Sequence, residues 1–228
     1  MPKTLQITFE STFEEELVRR LGNDSLDNLI SSINETPSIT ISGDICSGKT
    51  TLSKQIAEML SLEMHSLGQA YREIADKRKM TIEDLSTHLA ENLDEATQLD
   101  WQTSYEACMI VANGGNSSRG VIVEGRLSGW YGSFLRYLGK HNVLNVYLFC
   151  NEQSKERRFA KRCESSEKEY GLAQRRNEDA YRFSSILKID SCNIPPHDCT
   201  YNTDITPLNE MLLNLDKKIQ KMRCVNGS

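Results

Sequence analysis

Apolar residues follow two different spacings along this chain. Short runs rich in β-branched and other apolar residues predict strands at 38–42, 62–66, 121–124, 143–150 and 199–202. The segments between them carry apolar residues at helical spacing, and the predicted apolar face of 52–60 consists of Leu52, Ile56, Met59 and Leu60. Strands that alternate with helices form parallel βαβ units. The pattern therefore predicts a three-layer α/β fold, with a doubly wound parallel sheet and helices on both faces.

The first 36 residues follow a pattern of their own. Leu5, Ile7 and Phe9 alternate with polar residues, which predicts a short strand. A capping box over 11–14 then predicts a helix at 12–21, and a second helix is expected at about 25–35. We interpret 1–36 as an N-terminal extension of a main domain over 37–225. The extension could add a strand to the sheet edge or mediate a homodimer.

Composition and charge narrow the class of protein. The chain has 228 residues and a formal net charge of −5, so it lacks the basic footprint of a nucleic-acid-binding protein. We find no apolar run as long as a membrane span and no signal-peptide pattern, and we expect a cytoplasmic protein without a membrane partner. The seven cysteines form an odd set with no C-x-x-C pair, which favours reduced thiols over disulfides or zinc.

A phosphate-binding motif follows the first strand of the main domain. Residues 43–50 fit G-x-x-x-x-G-K-[ST], the Walker A loop, in which backbone N–H groups and a helix N-terminus surround nucleotide phosphates. Lys49 is expected to reach the β- and γ-phosphates of ATP, and the Thr50 hydroxyl is expected to bind Mg²⁺. The predicted nucleotide-binding residues are Gly43, Asp44, Ile45, Cys46, Ser47, Gly48, Lys49, Thr50 and Thr51.

Charged residues also follow the next two strands. Arg72 comes just after the second strand and Arg126 just after the third, whose last residue is Glu124. Because the carboxyl ends of parallel strands face one crevice, both arginines are expected beside the phosphate loop, where they could clamp an anionic acceptor. Glu124 could hold Mg²⁺ as a Walker-B-like acid. The alternatives are solvated arginines and a surface carboxylate that caps a helix or forms a salt bridge.

A basic helix over 152–163 is followed by a highly charged, weakly apolar segment at 164–190. This segment contains Arg175, Arg176 and Arg182, and its composition is typical of a region of low local stability. The alternative is an ordinary solvated helix face.

Several strings occur in the order seen in cytidylate kinases, which this chain resembles over about 38–215. Besides the phosphate loop they are Ser66-Leu67-Gly68-Gln69-Ala70-Tyr71-Arg72-Glu73, Val123-Glu124-Gly125-Arg126-Leu127-Ser128-Gly129-Trp130, Arg175-Arg176-Asn177-Glu178-Asp179-Ala180-Tyr181-Arg182-Phe183 and Tyr201-Asn202-Thr203. The resemblance implies a P-loop kinase that converts ATP and CMP or dCMP into ADP and the diphosphate with Mg²⁺.

The resemblance also implies residue roles. Arg72 and Arg126 would hold the acceptor's phosphate, and the helical region at about 67–113 would bind the acceptor. Arg175, Arg176 and Arg182 would belong to a mobile lid at about 164–190, which closes over the reacting phosphoryl group and excludes water. Lys49, Arg126, Arg176 and Arg182 would be catalytic. The substrate-binding residues would be Ser66, Arg72, Asp94, Arg126, Arg175 and Arg182. Asp94, Asp100 and Tyr105 could contact the base or ribose, although Trp101 and Tyr105 at helical spacing are more often part of the core.

One residue departs from the family pattern, and three other functions stay open. Cys46 stands where the family usually has a glycine-type residue, so the loop's conformation or redox sensitivity could differ. A kinase of the same fold could act on a modified cytidylate or another small metabolite. A nucleotide-binding regulatory module is a second alternative, although we find no N-K-x-D-type base-reading element. A nucleic-acid-dependent ATPase is disfavoured by net charge and size.

Overall fold

The computed structural model describes residues 8–162, 172–189 and 193–225. Five strands form a single sheet in the order β2-β3-β1-β4-β5, and all neighbouring strands are parallel. The strands are β1 Ser38–Gly43, β2 Glu63–Ser66, β3 Val121–Glu124, β4 Val143–Phe149 and β5 Cys199–Asn202. The strand order reverses at β1, which places a ligand crevice at its carboxyl end.

The helices cover both faces of this sheet, as the alternating pattern predicted. They are α1 Phe9–Leu21, α2 Asn23–Ser31, α3 Lys49–Leu60, α4 Leu67–Lys77, α5 Ile82–Glu91, α6 Leu93–Asn113, α7 Ser128–Tyr137, α8 Glu152–Arg162, α9 Leu172–Ser185 and α10 Leu208–Val225. The three-layer α/β fold is confirmed. No described helix is both long enough and apolar enough to cross a membrane.

Two apolar cores lie on opposite faces of the sheet. The smaller core packs α3 and α10 against β1 and β4, with Ile56 and Leu215 fully buried. The larger core joins the N-terminal helices, α6 and α7, and it includes Trp101 and Phe134. On α3, Met59 is 44% exposed although the spacing placed it on the buried face, because the sheet already covers the face formed by Leu52 and Ile56.

The N-terminal extension differs from the predicted strand and capping box. Phe9 is the first residue of α1, and Leu5 and Ile7 lie outside the described residues. The helix begins earlier than predicted because Thr8 is the cap: its hydroxyl accepts from the Ser11 backbone N–H at 3.3 Å. Within the described residues, the two edges of the sheet are β2 and β5, and neither pairs with the extension.

The described part of the extension belongs to the larger core. Phe13 and Leu17 on α1 are fully buried, and the Phe13 ring lies 5.0 Å from Trp101 and 4.9 Å from Phe134 between centroids. Two fully buried side chains of this size contribute about 3–6 kcal/mol to folding. The extension therefore stabilises α6 and α7 directly.

Lys140 hydrogen-bonds to the segment that connects the extension to β1. Its side chain is 1% exposed, and its ammonium donates to the carbonyl oxygens of Asn34 and Thr36 at 2.8 Å each. Burial lowers the pKa of Lys140 to about 8. The lysine thus satisfies two carbonyls just before the strand that carries the phosphate loop.

The charged segment after α8 is better packed than its composition predicted. Residues 163–171 and 190–192 of the predicted lid lie outside the described residues. In the described remainder, Phe183, Ile186, Leu187 and Ile189 are buried in the larger core. These four apolar side chains anchor α9 and the residues after it, so this part is not the weakly packed segment that we expected.

Candidate active site

The phosphate loop connects β1 to α3, and its conformation follows from two glycines and one cysteine. A side chain on Gly43 would collide with the Leu148 carbonyl of β4, and Gly48 caps α3 at φ +97°. Cys46 also has positive φ, at +59°, which non-glycine residues adopt rarely. Cys46 thus adopts the left-handed backbone that a glycine adopts readily, and a difference from the family in loop conformation or redox sensitivity stays a prediction.

Two residues outside the motif, Arg158 and Thr203, hydrogen-bond to backbone carbonyls of this loop. Arg158 on α8 donates to the Cys46 carbonyl at 3.2 Å and to the Thr203 hydroxyl at 2.8 Å. The Thr203 hydroxyl in turn donates to the Ser47 carbonyl at 3.0 Å. These contacts hold the loop's carbonyls on its outer side, which leaves its backbone N–H groups for an anion.

Lys49 lies inside the loop at the start of α3. Its ammonium donates to the Asp44 carbonyl at 2.7 Å. Burial and the nearby Arg126 lower the pKa of Lys49 to about 8, although Glu124 acts in the opposite direction. An ammonium with few countercharges around it is prepared to receive a phosphate.

Three oxygen-bearing side chains meet where β2 and β3 end. Glu124 Oε1 accepts from the Thr50 hydroxyl at 3.0 Å and from the Ser66 hydroxyl at 2.5 Å. Glu124 is 3% exposed, and within the described residues no basic side chain forms a salt bridge with it. A buried carboxylate beside two hydroxyls fits the oxygen donors that Mg²⁺ prefers, with the remaining positions left to phosphate and water. Thr50 and Glu124 are thus brought together as predicted.

Asp44 lies at the outer side of the loop and holds two cations. Its carboxylate accepts from Lys155 of α8 at 2.6 Å and from Arg176 of α9 at 2.7 Å. Burial raises the pKa of Asp44, but the hydrogen bonds from Lys155 and Ile45 outweigh it and hold the pKa below its ordinary value. Arg176 is thus located beside the phosphate loop, as a predicted catalytic residue should be.

A cleft extends from the phosphate loop between α4, α5, α6 and α9. Lys49, Thr50 and Ser66 line its loop end, and Arg72 and Arg126 line its middle. Ile82, Leu85 and Leu89 from α5 line its far end. The cleft thus joins an anion site to a largely apolar chamber, the usual composition of a site for a small molecule.

The two arginines at the strand ends lie in different environments. Arg126 forms an ion pair with Asp179 of α9, and its guanidinium lies 4.8 Å from the centre of the Phe183 ring. Arg72 is partly exposed and forms no salt bridge within the described parts of the chain. Both line the cleft, so the predicted convergence beside the phosphate loop is observed.

The Arg182 side chain is more buried than we expected for an arginine of a mobile lid. Its side chain is 8% exposed and forms an ion pair with Asp100, which is 1% exposed. The Tyr71 hydroxyl donates to the same carboxylate, and Arg182 lies over the Tyr71 ring. Burial lowers the pKa of Arg182, but the charges of Tyr71 and Asp100 raise it by more than burial lowers it. The net pKa is above the ordinary value, so this guanidinium is a permanent cation. The arrangement ties α4, α6 and α9 together.

Of the predicted substrate residues whose side chains are described, Asp94 lies outside the cleft. Asp94 is exposed in the first turn of α6 and does not line the cleft, because the residues of α6 that line it lie further along, at Thr103 and Ser104. Arg175 lies in α9, and its side chain is outside the described residues. Trp101 is buried in the larger core and Tyr105 packs against it, which agrees with the core-packing interpretation of both.

Four residues of the site were missed from the sequence. Lys155 and Arg158 were part of the predicted basic helix, but nothing in their spacing indicated contact with a loop more than 100 positions earlier. Asp179 is in the string that contains Arg182, yet its pairing with Arg126 needs the fold. Thr203 follows β5, so its position after a strand was the one available signal.

Comparison with known families and proteins places this geometry in context. Residues 39–183 match a family described as AAA domain. The cytidylate kinase of Archaeoglobus fulgidus is 38% identical over 124 residues, which are 54% of this chain and 61% of the relative. That of Pyrococcus horikoshii is 30% identical over 167 residues, 72% of this chain and 79% of the relative. That of Thermoplasma acidophilum is 28% identical and covers 81% of this chain and 93% of its own.

Solved structures share the fold at lower identity. The shikimate kinase of Bacteroides thetaiotaomicron superimposes with a TM-score of 0.50 at 15% identity, covering 81% of this chain and 98% of its own. A protein from Chloroflexus aurantiacus gives a TM-score of 0.53 at 16% identity with the same coverage. At this identity the likeness concerns the fold alone.

Proposed function

The chain belongs to the AAA-domain family and, within it, to the cytidylate kinases, and from this premise we propose that it transfers the γ-phosphoryl group of ATP to CMP or dCMP. Membership makes the chain a phosphotransferase, and the choice of acceptor is the proposal. The observation that carries it is the cleft itself. One continuous space is lined by the phosphate loop, by Arg72 and Arg126, and by apolar side chains of α5 and the α9 segment.

The loop end of the cleft suits the donor. We assign the β- and γ-phosphates to Lys49 and to the backbone N–H groups of residues 43–51. Thr50 and Glu124 would hold Mg²⁺, which, when bound, neutralises charge on the donor phosphates. We assign Arg176, which pairs with Asp44 of the loop, to the transferring phosphoryl group.

The middle of the cleft suits the phosphate of the acceptor. Arg72 carries a guanidinium without a salt-bridge partner among the described residues, and Arg126 carries one paired with Asp179. We assign the acceptor phosphate to these two residues together with Ser66, and its binding would exchange Asp179 for phosphate at Arg126. An acceptor oxygen then attacks the γ-phosphorus in line, and the bond to the ADP oxygen breaks.

The far end of the cleft excludes water from the reaction. Phe183 and Leu187 of the α9 segment line the cleft opposite Leu85 and Leu89 of α5. Arg182 keeps this roof in place through Asp100 and Tyr71, so we assign it a positioning role beside the catalytic one that the resemblance implies. Residues 164–190, with Arg175, remain the proposed lid, and α4 to α6 form the proposed acceptor region at 67–113.

An acceptor screen tests this proposal. The purified protein is incubated with ATP, Mg²⁺ and one acceptor at a time from CMP, dCMP, UMP, AMP, GMP and shikimate. ADP and the phosphorylated product are separated by anion-exchange chromatography. We expect CMP or dCMP to be converted at least tenfold faster than the others. Turnover of a different acceptor alone would select the rival kinase, and ADP formation that no acceptor stimulates would favour the regulatory module.

A further inference from the structure

A carboxylate inside a phosphate-binding loop is an electrostatic anomaly. Asp44 is the second residue of the loop, and its side chain is 23% exposed. A loop that gathers N–H groups and a helix N-terminus attracts anions, so a resident negative charge opposes the binding of phosphate. Its Oδ1 accepts from the Ile45 backbone N–H at 2.7 Å, which places the charge against the loop's own backbone.

Two cations from outside the loop neutralise this charge. Lys155 Nζ lies 2.6 Å from Asp44 Oδ2, and Arg176 Nη2 lies 2.7 Å from the same oxygen. Both cations also contact Glu152, at 2.8 Å and 2.6 Å. Asp44, Glu152, Lys155 and Arg176 form a quartet with two positive and two negative charges. We call it the loop quartet.

The two carboxylates of the loop quartet are not equivalent. The Glu152 side chain is 60% exposed and belongs to α8, whereas Asp44 lies in the loop. Lys155 is 8% exposed, so its position is fixed by its surroundings as well as by its charge. Because each cation keeps Glu152 as a second partner, neither depends on Asp44 to remain at the mouth of the loop.

We propose that Asp44 acts as a resident anion of the donor site, which pairs with Arg176 and Lys155 until the phosphates of the donor replace it. This inference rests on the proposed binding of a nucleotide to the phosphate loop and adds a residue that sets the affinity for it. Asp44 occupies a guanidinium that would otherwise pair with phosphate, and its own charge repels the donor. It therefore weakens donor binding, which favours release of the product ADP.

Direct binding of ADP and of a non-hydrolysable ATP analogue tests the proposal without the acceptor. Isothermal titration calorimetry with Mg²⁺ compares the wild-type chain with Asp44→Asn. Removal of one negative charge from the site is expected to tighten both ligands about three- to tenfold. Asp44→Ser serves as a second variant with the same expectation, and thermal melting of the nucleotide-free proteins shows whether each variant is folded.

Glu152→Gln is the matched control. It removes a carboxylate from the same two cations but lies outside the loop, so its effect on the affinity for ADP is expected to stay within about twofold because exposed ion pairs contribute little. Weaker or unchanged binding by the folded Asp44 variants would overturn the inference, as would equal tightening by Glu152→Gln. Failure of the wild-type chain to bind either nucleotide would instead contradict the proposed function.

Discussion

The donor end and the acceptor end of the cleft are built in opposite ways. The donor end is contiguous: residues 43–51 form the loop, and Lys49 donates to Asp44 five positions earlier. The acceptor end is assembled from distant parts of the chain. Arg182 reaches Asp100 and Tyr71 across 82 and 111 positions, and Arg126 pairs with Asp179.

Because of this difference, residues at the donor end serve the reaction, whereas residues at the acceptor end also stabilise the fold. Lys49 hydrogen-bonds the Asp44 carbonyl of its own loop, and within the described ranges the tie that Thr50 makes to another element is its hydrogen bond to Glu124. Asp100 and Arg182 join α4, α6 and α9 in a buried ionic network. Changes at the donor end should therefore affect the reaction, whereas changes at the acceptor end should also affect folding.

The largest effect is expected at the donor end. Lys49→Ala removes the charge that stabilises the transferring phosphoryl group, so kcat should fall about 10³-fold. The melting temperature should stay within about 2 °C of wild type, because Lys49 forms one hydrogen bond that its own loop can replace. Steady-state kinetics and thermal melting measure the two quantities. A variant that keeps a tenth of the activity would contradict the assignment.

The next effect is expected on stability at the acceptor end. Asp100→Asn removes the carboxylate nearest to the buried Arg182 guanidinium and leaves it only the ion pair with Asp179 at 3.9 Å, so the free energy of unfolding should fall by about 3–5 kcal/mol. Urea unfolding followed by circular dichroism measures it. The double variant Asp100→Asn/Arg182→Met is the control and should recover about half of the loss, because it removes the uncompensated charge. A loss below about 1 kcal/mol would show that the network is not a structural tie.

The same contrast explains what the sequence could predict. The phosphate loop was predicted residue by residue because its motif is local and its glycines have fixed geometric roles. Glu124 and Arg126 were found because they follow a buried strand, and parallel strands present their carboxyl ends together. The sheet and its helices followed from periodicity alone.

The remainder depends on contacts that no local pattern encodes. Asp179 and Asp100 are ordinary acidic residues on helices until the fold places them against arginines. The charged composition of 164–190 concealed Phe183 and Ile186, because two buried apolar side chains are enough to anchor a helix whose other faces are charged. Phe9 was assigned to a strand since an alternating pattern of three residues is too short to distinguish a strand from the start of a helix.

A third prediction separates the two arginines of the acceptor site. Arg72→Met and Arg126→Met should each raise KM for the acceptor about 30-fold, since each loses a charged hydrogen bond to phosphate. KM for ATP should change less than threefold. Arg126→Met should also lower the free energy of unfolding by about 1 kcal/mol, because the buried Asp179 loses its nearer cation and keeps only Arg182 at 3.9 Å. Arg72 has no such partner among the described residues, so its variant should be as stable as wild type; equal destabilisation of both variants would contradict this distinction.

The smallest effect concerns pH and compares both ends in one experiment. The pKa of Lys49 is about 8 in the nucleotide-free protein, so its charge is present below pH 8 and is lost above it. Because phosphate binds the charged form, the affinity for ADP should fall about tenfold between pH 7.5 and pH 9.5. At the acceptor end the cations assigned to the phosphate are Arg72 and Arg126. Arginines keep their charge over this pH range, so the affinity for CMP should stay constant. Calorimetric titrations at four pH values measure both, and Lys49→Arg should remove the dependence for ADP. An ADP affinity independent of pH in the wild-type chain would show that Lys49 keeps its proton up to pH 9.5. A parallel decline in the affinity for CMP would show that the acceptor end also depends on a group that titrates in this range.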